Sequence, residues 1–165
     1  MDNNDTIRVK IADMAVKREH GIIITVGLGS CIGIALYDPA SKLGGLSHIL
    51  LPDSNQFKNV NKGNVNVAKF ADTAIPTLIE TMGRQGARKN RLQAKIAGGS
   101  QLFNFDKTNM SVGEKNIGAV IQTLKKIGIP ILKEDVGGNY GRTMRLFIDT
   151  GKVLISTVGK GEKEL

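Results

Sequence analysis

One cysteine, Cys31, closes the glycine-rich run Thr25-Val26-Gly27-Leu28-Gly29-Ser30-Cys31, and His48, one of two histidines, follows seventeen positions later. A free thiol is mostly protonated at neutral pH, and a neighbouring imidazole can take its proton. The thiolate then attacks an amide or ester carbonyl, and the imidazolium protonates the leaving group. A third group usually orients the imidazole through its second nitrogen. Thr25 is the first choice because it ends the preceding strand; Asp38 and Asp53 are alternatives placed in turns. Backbone N–H groups of the Gly29-Ser30-Cys31 turn are the candidate oxyanion donors. Free cysteine is also among the most buried residue types, so a core role is the competing reading. The choice depends on whether Cys31 and His48 meet.

The elements that would bring them together are two strands, 31–37 and 43–51, joined by the turn Asp38-Pro39-Ala40-Ser41 with proline at its second position. If that turn is centred between Pro39 and Ala40, facing residues have numbers summing to 79, and Cys31 faces His48 directly. Directly opposed Cβ atoms lie about 5 Å apart. Gly33, Ala35 and Gly44 share that face and are small enough to leave room for a substrate chain. A one-residue slip would send His48 to the other face.

Around this hairpin, residues 6–17 and 21–27 read as strands, with Ile22-Ile23-Ile24 as a buried β-branched run. Residues 53–63 are polar and read as a mobile loop. A helix is expected from Asn64 to Met82, its stripe formed by Val67, Phe70, Ala71, Ala74, Leu78 and Met82, bent at Pro76 and stopped by Gly83. A strand at 92–97 precedes a second helix, Val112 to Ile127. That helix has Ser111 and Glu114 as a capping box, the stripe Ile117, Val120, Ile121, Leu124 and Ile127, and Gly128 with Pro130 beyond its end. Strands near 130–136, 142–149 and 152–158 close the chain, the last two joined at Asp149-Thr150-Gly151-Lys152. The order β-β-β-β-α-β-α-β-β-β predicts an α+β fold, with mixed or antiparallel sheet and two main helices packed outside.

The 165 residues fit one domain, 1–165, with a core of about 6–158. No apolar run reaches the roughly 18 residues that would span a bilayer. The acidic start Met1-Asp2-Asn3-Asn4-Asp5 is not a signal peptide. With a single cysteine, the chain reads as cytoplasmic. A net charge of +8 fits an acidic partner or simply a solvated surface. The densest basic cluster is Arg84, Arg88, Lys89, Arg91 and Lys95, and no aromatic residue is interleaved with it, so nucleic acid is not an expected partner. One cysteine and two histidines without close spacing argue against a structural zinc site, and neither metal nor cofactor is expected. Gly27-x-Gly29 lacks the third glycine and the following helix of a nucleotide-binding loop.

Two further segments are distinctive: Gly98-Gly99-Ser100-Gln101-Leu102-Phe103 after a strand, and Asp135-Val136-Gly137-Gly138-Asn139-Tyr140-Gly141-Arg142. Their glycines imply unusual backbone angles or a close approach to another segment. Gln101, Phe103, Asn139 and Arg142 are candidate contacts for a substrate or partner, although a structural ion pair is the simpler role for Arg142.

At these residues the chain resembles the CheD family. The resemblance rests on Leu28-Gly29-Ser30-Cys31, Leu36-Tyr37-Asp38-Pro39, Gly44-Gly45-Leu46-Ser47-His48 with Leu51-Pro52, Gly98-Gly99, Gly113 with Asn116, and the run from Glu134 to Arg142. It implies a chemoreceptor glutamine deamidase, similar in fold to bacterial toxin deamidases, that hydrolyses glutamine side chains to glutamate and ammonia through a cysteine thioester. It implies a Cys-His-Thr triad, carried here onto Cys31, His48 and Thr25. Chemoreceptor cytoplasmic domains would be the substrate, and the chemotaxis phosphatase CheC a further partner. Ser100-Gln101-Leu102 departs from the family pattern, in which alanine, a basic or polar residue and methionine often stand. The alternative class is an adaptor that binds receptors or CheC with its thiol incidental.

Overall fold

The computed structural model describes residues 5–56, 65–102 and 109–165. Its elements are β1 (Thr6–Val9), β2 (Asp13–Arg18), β3 (Ile22–Leu28), β4 (Ile32–Asp38), β5 (Leu43–Ile49), α1 (Ala71–Arg84), β6 (Gln93–Gly98), α2 (Val112–Ile127), β7 (Ile131–Val136), β8 (Arg142–Phe147), β9 (Val153–Thr157) and β10 (Gly161–Glu164). They form two five-stranded sheets: a central one ordered β2-β5-β4-β6-β7 and an outer one ordered β1-β3-β8-β9-β10. The pairs β1–β3 and β6–β7 are parallel, so both sheets are mixed. This is the α+β arrangement with two packed helices that the sequence predicts.

The central sheet is buried on both faces, which is why β4 and β5 read as continuous apolar or small runs. One face carries Ile32, Ile34, Leu36, Leu43 and Ile49 against α1 and α2. The other carries Cys31, Ala35 and Leu46 against Ile23, Leu28, Met144 and Leu146 of the outer sheet. The two cores therefore share one sheet. Asp38 anchors its closing turn, accepting from Ala40 N at 3.1 Å and Ser41 N at 3.4 Å.

Several expectations need correction. The single strand expected at 6–17 is two strands in different sheets, with Ala12 at φ 58° between them. Alternation of apolar residues continues across such a crossing and cannot show that the partner sheet has changed. The helix expected from Asn64 begins at Ala71. Before it, Val67–Lys69 is a 3₁₀ turn, and Phe70 is extended and bridges Leu51. That pairing overrides the helical spacing of Val67 and Phe70, and Asn64 itself lies outside the described residues. The helix continues through Pro76 and past Gly83; Gly86, at φ +112°, takes the left-handed position after its end. The loop expected at 53–63 contains a 3₁₀ turn at Ser54–Gln56, and its remainder from 57 lies outside the described residues.

Helix α2 matches its predicted limits: the Ser111 hydroxyl accepts from Glu114 N, and Gly128 ends it at φ 93°. Its buried line runs through Gly113, Asn116, Val120 and Leu124, about one position around from the predicted stripe. Strand β10 was not foreseen because its residues, Gly161-Glu162-Lys163-Glu164, are all exposed and carry no apolar signal. The basic cluster is not one patch. Arg84 pairs with Glu80, Arg91 with Asp38, and Lys95 donates to the Leu165 carbonyl.

Candidate active site

Strand β3 alternates Ile23 and Thr25 into the space between the sheets, then breaks register between Thr25 and Leu28. Gly27, at φ +76°, lies in that bulge, and the chain turns through Gly29 and Ser30 into Cys31. The carbonyls of this turn are held from several sides. Gly29 N donates to Gly27 O, Ser100 N to Gly29 O, Asn116 Nδ2 to Ser30 O, and Gly99 N to Cys31 O. Gly98 must be glycine, because a Cβ there would strike the Cys31 carbonyl.

The β4–β5 register differs from the predicted one. Gly33, not Cys31, is opposite His48, so partner numbers sum to 81. The loop takes in Pro39 to Lys42, with Lys42 at φ 49°, one pair longer than a two-residue turn. A shift of two preserves the face: Cys31, in the bend just before β4, packs in the inter-sheet core with Ala35 and Leu46, on the side that His48 faces. Were Cys31 to continue the β4 ladder, its Cα would lie about 7–8 Å from that of His48 as a diagonal neighbour, within reach of a ring. The small residues of that face do not leave substrate room. A Cβ on Gly33 would meet Met144 and Leu28, and one on Gly44 would meet Ile148 and Leu146, so the opposite sheet fills the space.

Thr25 and His48 are fully buried, and Cys31 is 6% exposed. Thr25 Oγ1 donates to Val9 O at 2.8 Å and lies 2.6 Å from His48 Nδ1. The hydroxyl has one hydrogen, already given to Val9, so it accepts from Nδ1–H. His48 is therefore the tautomer with a free lone pair on Nε2, and among the described residues Nε2 has no hydrogen-bond partner. Burial lowers the His48 pKa to about 4, so the ring is neutral at physiological pH. Burial also raises the Cys31 thiol, against a smaller lowering by its own backbone N–H. The resting pair is a neutral thiol and a neutral, oriented imidazole. This differs from the ion pair of a strongly activated cysteine.

The other candidates lie apart. Asp38 is engaged by Arg91 and Arg88 N, and Asp53 accepts from Asn55 N in a local turn. Arg142 is buried, donating to Ser100 Oγ and Asp135 while its guanidinium stacks on Tyr140, so it holds loops together. Gln101 N donates to Gly138 O, and Asn139 is exposed beyond it. Phe103 lies outside the described residues. Leu102 is 49% exposed, and its side chain covers Gly29. Beside the glycine turn, a groove of about 310 Å³ is lined by Val26, Gly27, Tyr140, Arg142 and Val158. The larger cavity, about 450 Å³ among Tyr37, Gln93, Lys95, Leu132 and Lys152, holds none of Thr25, Cys31 and His48. Titratable chemistry outweighs volume in locating a site of this kind. Among the described residues no cluster of three metal-ligating side chains occurs, and no helix is long and apolar enough to cross a membrane.

Sequence reasoning did not single out Asn116 or Ser100 for this site. The available signal was a polar residue on the buried line of α2 and a serine directly after paired glycines.

Two stacked mixed sheets, flanked by helices, thus enclose a thiol and an oriented imidazole that face the same interior. A family model described as CheD chemotactic sensory transduction matches residues 50–157, and the chain belongs to the CheD family. Over 161 residues it is 56% identical to a protein named probable chemoreceptor glutamine deamidase CheD from Clostridium botulinum strain Hall. The match covers 96% of this chain and 97% of that relative. A protein of the same name from Clostridium novyi strain NT is 54% identical with the same coverage. Thr25, Cys31 and His48 precede the segment matched by the family model; the matches to these relatives span nearly the whole chain.

Proposed function

We propose that this protein is a cytoplasmic protein-glutamine deamidase that converts glutamine side chains of chemoreceptors to glutamate and ammonia. The observation that carries the reading is the buried Thr25–His48 hydrogen bond, which leaves Nε2 unpartnered on the face that also carries Cys31. The names of the relatives supply the substrate class.

In this reading His48 Nε2 takes the Cys31 proton as sulfur attacks the amide carbon. The carbonyl oxygen becomes an oxyanion, held by backbone N–H groups of Ser30 and Cys31 with Gly29 shaping the turn. The imidazolium then gives its proton to the amide nitrogen, the C–N bond breaks, and ammonia leaves a thioester. His48 next deprotonates water, which attacks the thioester, and Cys31 departs as the thiol. Thr25 holds Nδ1–H throughout. No cofactor enters either half-reaction.

Incubation with a receptor cytoplasmic fragment should release ammonia and raise the fragment's mass by the amide-to-acid difference. Cys31→Ala should do neither. Equal product from both proteins would sink the enzyme reading. One observation favours the adaptor class: Cys31 packs in the same apolar cluster as Leu28, Ala35 and Met144. An adaptor would bind receptor or CheC equally with Cys31→Ala and release no ammonia in either form.

A further inference from the structure

Resting on the deamidase reading, we infer that Asn116 is a positioning residue that aims the Ser30–Cys31 peptide, so that the Cys31 N–H points to where the oxyanion forms. Asn116 is fully buried on α2. Its Nδ2 donates to Ser30 O at 2.8 Å and to Leu50 O at 3.0 Å. Both contacts are carbonyls, which only accept, so nitrogen must face them and both of its hydrogens are used. Oδ1 is left buried without a partner among the described residues. One amide thereby joins the residue before Cys31 to the residue two beyond His48.

The geometry of the peptide bond converts that clamp into an aim. No cis peptide occurs among the described residues, and in a trans peptide C=O and N–H point in opposite directions. Drawing Ser30 C=O toward α2 turns Cys31 N–H away from it, and that N–H pulls the Cys31 thiol pKa down against the larger rise from burial. Gly29 and Cys31 carbonyls are held in parallel by Ser100 N and Gly99 N, backbone donors that no substitution at those positions short of proline removes. Among the described residues only the Asn116 side chain donates to Ser30 O, so a substitution there leaves that carbonyl unheld, whereas Gly29 O keeps Ser100 N whatever side chain stands at 100. Close approach of α2 to this loop depends on Gly113, where a Cβ would strike Gly99 O and Ser100 O.

The test compares Asn116→Ala and the milder Asn116→Ser with Leu124→Ala, a core truncation on the same face of α2 that touches neither carbonyl. Each protein is assayed for ammonia release from a receptor cytoplasmic fragment, for melting temperature, and for the pH profile of Cys31 alkylation by iodoacetamide, normalised to folded protein. The Asn116 variants should lose about 10-fold or more in kcat with KM nearly unchanged, because an oxyanion donor acts in the transition state. Their alkylation midpoint should rise, because the thiolate loses an aligned N–H. Leu124→Ala should melt earlier and change neither readout. If Asn116→Ala and Asn116→Ser behave like Leu124→Ala, the aiming role is overturned and the deamidase reading stands. If wild type releases no ammonia, the deamidase reading fails, and the alkylation shift alone decides whether Asn116 aims the peptide.

Discussion

The two ends of the β4–β5 hairpin both bury an ionisable side chain completely, and they treat it in opposite ways. At the closed end, burial would raise the Asp38 pKa, but hydrogen bonds from Arg91, Arg88 N and Ser41 outweigh it and bring it down to about 2. Both Asp38 carboxylate oxygens have partners, Arg91 donating from both Nε and Nη2. At the open end, the His48 ring has one partner, Thr25, and its Nε2 has none among the described residues. Burial acts there unopposed, and the ring stays neutral. A buried group with a full set of hydrogen bonds serves the fold. A buried group with one nitrogen fixed and the other free forgoes stabilisation and is available for proton transfer.

The widest separation between the two ends should appear on substitution. His48→Gln should cut ammonia release by about 10³-fold or more, the scale for losing a general base that acts as a unit with its nucleophile. Its melting temperature should change little. Asp38→Ala should instead cost about 3 kcal/mol of stability by leaving Arg91 and Arg88 N without their acceptor; a fully buried pair would cost more, but the Arg91 side chain is one-third exposed. Its rate per folded molecule should stay near wild type. Denaturant melts alongside ammonia assays check both, and a His48→Gln protein as unstable as Asp38→Ala but fully active would erase the distinction.

Acid should separate the ends next. The His48 pKa falls from 6.5 unfolded to about 4 folded, so between those values the unfolded chain binds the extra proton. Stability is complete above pH 6.5 and is lost as pH falls toward 4, by about 3 kcal/mol for a shift of that size. Asp38 acts lower: its contribution is present above 3.8 and lost as pH falls through about 2. Unfolding free energies at pH 7, 5 and 4 should therefore fall in wild type and flatten in His48→Gln. An unchanged slope in the variant would mean that the imidazole is not held neutral.

Local signals were legible where one element decides its own form. Ser111, Glu114 and Gly128 delimit α2 through short-range hydrogen bonds and a left-handed residue, so α2 reads directly from the chain. Thr25 and His48 read as partners in the sequence and are hydrogen-bonded in the fold, while the register expected for Cys31 and His48 is two residues out. Turn length depends on Lys42 adopting a positive φ, which lysine shows weakly in a sequence. The rest depended on partners far along the chain. The break between β1 and β2 follows from two sheets competing for one segment, and the late start of α1 follows from Phe70 pairing with Leu51. Asn116 acquires meaning only when Ser30 and Leu50 are folded beside it.

The smallest expected effect concerns the hydroxyl that fixes the imidazole. Thr25→Val keeps the shape of the side chain but removes the donor to Val9 O and the acceptor for His48 Nδ1–H. Two buried polar groups are then left short of a partner, a loss of about 1–3 kcal/mol. His48 keeps its face, because β5 is paired on both sides by β2 and β4. What it loses is the preference for the proton on Nδ1. A neutral ring with its proton on Nε2 cannot accept from the thiol, so the competent fraction drops and kcat should fall about 10- to 100-fold, less than with His48→Gln. Thr25→Ser retains the hydroxyl and should recover most of the rate despite losing a methyl group. Nitrogen NMR of the His48 ring would show Nδ1–H in wild type and Thr25→Ser, and a mixed population in Thr25→Val. If Thr25→Val kept both the rate and the tautomer, the open end would not need its single partner, and the contrast with Asp38 would reduce to burial alone.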